Sequence, residues 1–104
     1  MSSIKLESEY NNLDKYEFDG ANIYYVKKDT YIVHNPYGPA IIHKNGRKQY
    51  CIEGKYHRLD GPAIIWPSGY EEYWINGKQL TKEQFDVDPE RLKFLGKEYL
   101  ICLK

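Results

Sequence analysis

Only two cysteines, Cys51 and Cys102, occur in this chain. Two cysteines are too few and too irregularly placed to build a disulfide framework, and they suit a reducing compartment such as the cytoplasm. There is no excess of either charge, because fifteen Lys and Arg offset fifteen Asp and Glu. That balance argues against nucleic acid or an anionic membrane as partner, since both draw on clustered, uncompensated basic residues. No apolar run approaches the ~18 residues of a membrane span, so none is expected. The opening MSSIKLESEYNN lacks the basic stretch and apolar core of a secretory leader. With 104 residues the chain has length for one small domain. Such a domain buries about 65% of the surface its unfolded chain exposes.

What the chain has in quantity is tyrosine, eleven of them, within an aromatic content of 15%. Aromatic rings of that number suit strands, where they pack on a pleated surface. Glycines at 38, 46, 54, 61, 69 and 77 recur every seven or eight residues and separate runs rich in Ile, Tyr and Trp. The underlying unit is longer. Residues 34–56 aligned with 57–79 are identical at 11 of 23 positions, among them His34/His57, the Gly-Pro-Ala-Ile-Ile runs and Gly54/Gly77. A fixed period in the ~20–50 range marks a repeat architecture in which each unit buries its apolar side against its neighbours.

These runs predict a mainly β fold, an antiparallel meander of stacked hairpin repeats over residues 23–79 with a short helical cap over 80–104. Residues 1–22 are expected to form an acidic arm, either irregular or a short helix with Leu6, Tyr10 and Leu13 on one face. Ile23 to His34 reads as a hairpin with its tip at Lys27–Thr30, a degenerate first repeat. Asn45-Gly46, Ser68-Gly69 and Asn76-Gly77 are turn pairs in which glycine supplies a positive φ. Pro67 refines one of them. Proline has no N–H to give at the end of a two-residue hairpin, so Pro67-Ser68-Gly69 is expected as a three-residue loop with glycine left-handed. By repetition, Lys44-Asn45-Gly46 takes the same form. After Lys78 a helix is announced by a capping box, Thr81 with Gln84, and by the Leu80/Phe85 staple. Asp88-Pro89 opens a second helical segment that closes at Gly96. The tail KEYLICLK reads as a strand.

The pair HNPYGPAIIHKNGRKQYCIEGK and HRLDGPAIIWPSGYEEYWINGKQL resembles the MORN-like repeats, in a variant that runs H-R-x-D-G-P-A, a Gly turn, then Y-W-x-N-G-K. That variant is similar to one found in bacteriophage, giant-virus and bacterial proteins, whose arrays end in a cap matched here by Asn76 to Phe85. The resemblance covers residues 34–85, about half of the chain. The first repeat departs from the pattern at Asn35, Tyr37 and Cys51, where the second has Arg58, Asp60 and Trp74. The resemblance implies an interaction or membrane-association module and favours binding over catalysis, with a viral origin and a host or viral protein as its partner, including inhibition of a host enzyme by occlusion.

Chemistry-bearing residues are few. His57, Arg58 and Asp60 form the strongest catalytic candidate, a base with an orienter and an anion clamp. His34 recurs without the other two, as a structural residue would, with Asp60 left to bond turn amides and Arg58 to pair locally. No nucleophile elbow or paired carboxylate accompanies them, so no catalytic residue is expected. His34, His43, His57 and Cys51 fit no familiar metal spacing, and no metal or cofactor is expected. The charges are more informative. Arg47 and Lys48 align with Tyr70 and Glu71, with Glu72 beside them, and stacked hairpins are expected to join these as cross-strand ion pairs. Together with Tyr56, Arg58, Trp66 and Tyr70 they make the candidate partner face, since Tyr, Trp and Arg dominate interface hot spots. A rival reading is a ligand-binding or enzymatic pocket between sheet and cap that uses His57 and Tyr73. A third is a subunit that assembles through an exposed edge strand.

Overall fold

In the computed structural model, which describes residues 3–96, the glycine punctuation becomes turns of two kinds. Trp66 accepts from the Gly69 amide and donates to Tyr70, each at 2.9 Å, and His43 does the same with Gly46 and Arg47 at the same distances. Gly69 (φ 92°) and Gly46 (φ 98°) are left-handed, so both are the three-residue loops that Pro67 demands. After each of them, Glu53-Gly54 and Asn76-Gly77 make two-residue turns with both residues at positive φ.

These turns link ten strands: β1 (Ser3–Leu6), β2 (Leu13–Phe18), β3 (Asn22–Lys27), β4 (Ile41–Ile42), β5 (Lys48–Gln49), β6 (Cys51–Ile52), β7 (Lys55–Tyr56), β8 (Ile64–Ile65), β9 (Glu71–Ile75) and β10 (Lys78–Leu80). Eight of them form one antiparallel sheet in the order β1-β2-β3-β4-β5-β8-β9-β10, and β6 pairs β7 as a separate ladder. The molecule measures 53 × 31 × 19 Å, elongated because each hairpin packs on its neighbours rather than around a common centre. Buried side chains are accordingly strung along its length, from Leu13 and Val26 through Ala40, Cys51 and Ala63 to Phe85 and Leu92.

The repeat recurs bond by bond. Ala40 and Ala63 donate to Gln49 and Glu72, both at 2.8 Å, while His34 and His57 donate to Tyr25 and Tyr50, both at 3.0 Å. Each histidine then accepts, through Nδ1, the amide of the first turn residue nineteen positions on: Glu53 for His34 and Asn76 for His57, each at 2.9 Å. The repeated histidine is therefore a turn clamp. Glu53 sits at φ 52°, a conformation a glutamate adopts only under constraint. The clamp, together with the Lys27–Glu53 ion pair at 2.9 Å, supplies that constraint.

Because Nδ1 must be bare to accept, protonation opposes the clamp. Burial already holds the His34 pKa below its ordinary value. Its stabilisation is complete above the unfolded histidine pKa, about 6.5, and is lost as pH falls from there through the lower folded value. Urea midpoints are expected to drop between pH 7.5 and 5.5. In His34→Ala the midpoint starts lower and the drop is smaller; an equal drop would remove the clamp from the account.

At the N-terminus the expected arm is corrected. Residues 3–6 and 13–18 are strands, with Ser3 opposite Phe18 and Leu13 opposite Lys27. The degenerate first repeat thus begins at Leu13 rather than Ile23. Its tip is where expected, with Lys27 donating to Ile32 at 2.9 Å and Val26 bridging Val33. Leu6 and Leu13 also fit a strand edge, and the partners that decide between helix and strand, Lys15 and Lys27, lie nine and fourteen residues away.

At the other end stand α1 (Lys82–Asp86), with the complete Thr81/Gln84 capping box, and α2 (Pro89–Phe94), with Asp88 as its N-cap. Gly96 follows at φ 74°. Phe85, 2% exposed, sets its ring 4.6 Å from Tyr73 of β9 and so pins the cap to the sheet. The strand expected for the KEYLICLK tail, and Cys102 with it, lies outside the described residues.

Candidate interaction face

Strand register sorts the candidate residues onto two faces. Opposed positions run Lys5–Tyr16–Tyr24–Ile41–Gln49–Ile64–Glu72 across seven strands, in one unbroken row. The adjacent row, Ile4–Glu17–Ile23–Ile42–Lys48–Ile65–Glu71, points the opposite way, since neighbours along a strand alternate. Glu72 therefore belongs to one face, while Lys48 and Glu71 belong to the other.

The expected ion pairs of Arg47-Lys48 with Glu71-Glu72 are absent among the described residues, and β8 is the reason. It lies between β5 and β9, so these charges sit two strand spacings apart, roughly 9–10 Å. Arg47 instead lays its guanidinium over the Trp66 ring at 4.5 Å. Trp66 donates its indole N–H to Glu72 at 2.7 Å, and Trp74 donates to the second oxygen of the same carboxylate at 3.0 Å. Trp74 meets Tyr56 edge to face at 5.2 Å, and the Tyr56 hydroxyl accepts from the Gln49 amide at 2.8 Å. His43 closes the circuit, its Nε2 between the Gln49 amide oxygen and the Arg47 guanidinium. The result is a belt of seven side chains spanning the hairpins of both repeats.

The belt is preorganised. Gln49 is buried, and the other six are half-buried, each presenting part of its surface to solvent. Arg47, Tyr56, Trp66 and Glu72 are the candidates that the structure brings together. His43, Gln49 and Trp74 were missed, although alternation along a strand links Gln49 to Arg47 and Trp74 to Glu72 in the sequence itself. Tyr70, 62% exposed, stands on the loop beside Trp66.

Arg58 lies elsewhere and serves its own loop. It stacks on Tyr50 at 3.9 Å, pairs with Asp60 at 3.0 Å and donates to the Pro62 carbonyl at 3.1 Å. In the first repeat Asn35 does this work, donating to the Pro39 carbonyl at 3.0 Å. Asp60 thus holds Arg58 rather than turn amides; it is Asn35 that accepts from the Tyr37 amide, at 2.9 Å. A Cβ at Gly61 would come within 2.9 Å of the Arg58 guanidinium carbon, so a side chain there would push that guanidinium aside.

His57 and Tyr73, the pair named for a rival pocket, line different clefts. His57 sits with Tyr50 and Arg58, while Tyr73 sits between β9, β10 and α1 and donates to Glu71 at 3.2 Å. Among the described residues no group of three or more His, Cys, Asp and Glu is placed to hold a metal ion. Burial pushes the Cys51 thiol up to about 11, which keeps it protonated and unreactive at neutral pH. No helix among the described residues is long and apolar enough to cross a membrane.

The fold and face define a β-meander protein of tandem hairpin repeats. Comparison with protein-family models, with curated proteins and with solved structures returned no match to this chain.

Proposed function

We propose that this protein is a non-catalytic protein-binding module that engages its partner through the belt face. The observation that carries the reading is the Arg47–Trp66–Glu72–Trp74–Tyr56 circuit, in which the residue types of interface hot spots are fixed on a rigid sheet before any partner arrives. The motif resemblance to MORN-like repeats supports binding over catalysis. It also supports a viral or phage origin, with a host or viral protein as target.

The test is affinity capture from the native host with three baits: the wild-type chain, Trp66→Ala, and Lys48→Ala as an opposite-face control. A partner held by the wild type and by Lys48→Ala is expected to weaken about 30-fold or more with Trp66→Ala, the loss typical of a hot-spot truncation. Retention by folded Trp66→Ala together with loss by Lys48→Ala would move the interface to the other face.

A further inference from the structure

On the N-terminal hairpins, away from the belt, Tyr16, Phe18, Tyr24 and Tyr31 line an open cavity of about 370 Å³ whose surface is mostly apolar. Their rings are mutually angled: Tyr16 and Tyr31 lie 5.6 Å apart at 41°, and Phe18 and Tyr24 lie 5.1 Å apart at 81°. Tyr31 is 77% exposed and rests its ring against Tyr16, so one of its faces is open to solvent. At the rim stands Asp19, exposed and with no ion-pair partner among the described residues.

Aromatic faces carry negative charge density and attract cations, most strongly where water is excluded. Elsewhere the protein satisfies some of these faces internally, while others, Tyr70 and Phe94 among them, carry no cation among the described residues. Five other rings carry a Lys or Arg, as Tyr50 does with Arg58 at 3.9 Å. The four cavity rings carry none among the described residues. Lys5, opposite Tyr16 in register, pairs with Asp14 at 3.7 Å.

We propose that this cavity binds an organic cation with an apolar shell, an alkylated ammonium group whose methyls contact the rings while its charge is balanced by Asp19. Two sources share that chemistry, a free quaternary amine and a methylated lysine side chain. The site is independent of the belt and is tested without reference to it.

Choline and its uncharged isostere 3,3-dimethylbutan-1-ol are titrated against the full chain by amide NMR. Choline is expected to give saturable shifts confined to residues around 16–24 and 31, with the alcohol about tenfold weaker. Tyr31→Ala, at an exposed position, is expected to weaken choline about tenfold with the remaining spectrum unchanged. Asp19 sits at φ 56°, so Asp19→Asn keeps a residue tolerant of that conformation and is expected to weaken choline several-fold. A trimethyl-lysine peptide that binds more tightly than choline identifies the side-chain source; one that binds no better identifies the free amine. Equal binding of choline and the alcohol, choline binding indifferent to Tyr31→Ala, or no saturable shift with choline overturns the proposal.

Discussion

Phe85→Ala is expected to lower the melting temperature by about 10 °C or more. The ring is 2% exposed and joins three elements, with Tyr73 of β9 at 4.6 Å and the Arg91 guanidinium of α2 over its face at 4.5 Å. A buried Phe→Ala change costs about 3–5 kcal/mol, and in a domain of this size each kcal/mol shifts the midpoint by roughly 4–8 °C. The loss extends beyond transfer and cavity, because Arg91 Nε is buried without a hydrogen-bond partner and the ring face is its compensation. Phe94→Ala is the control. It is 60% exposed, and its effect should stay within about 0.5 kcal/mol. Thermal unfolding by circular dichroism reads both, and equal shifts would mean that Phe85 does not seal the sheet.

A second large effect is expected where the chain has almost no side chain. Ala40 and Ala63 are both fully buried, at 0% exposure, and both bond the next strand at 2.8 Å. Leucine at either position must displace neighbours, at about 1–3 kcal/mol. Since the two sites are copies of one environment, Ala40→Leu and Ala63→Leu should lower the urea midpoint by similar amounts. Tolerance at one and collapse at the other would show that the repeats share hydrogen bonds but not packing.

The repeated elements were legible in the sequence, and for a physical reason. Pro67 lacks an N–H, glycine at 46 and 69 accepts a left-handed φ cheaply, and Thr81 with Gln84 caps a helix through bonds three residues apart. All of these are local constraints. His34 and His57 were legible as structural through their recurrence, although the amides they hold, nineteen residues on, were not. The N-terminal strands were not legible because Ser3–Leu6 and Leu13–Phe18 carry no turn glycine between them to mark a hairpin.

The candidate site was half legible. Tyr56, Trp66 and Arg47 are interface residue types and do share a face, which Glu72 joins through Trp66. Lys48 and Glu71 match them in charge pattern but fall on the opposite face by the alternation of the strand. The cation that Arg47 offers was expected to meet a carboxylate and meets Trp66 instead. Pairing across a sheet depends on which strand intervenes, and adjacency in an alignment does not reveal it.

By itself, then, the sequence determined the hairpin period, the turn types and the helical cap, because those rest on backbone freedom and bonds a few residues long. The tertiary structure alone decided that β8 separates the charged strands, that seven side chains close into one circuit, and that four aromatic rings gather beside Asp19. Those outcomes depend on register between strands far apart in the chain, where a shift of one residue turns every side chain to the opposite face.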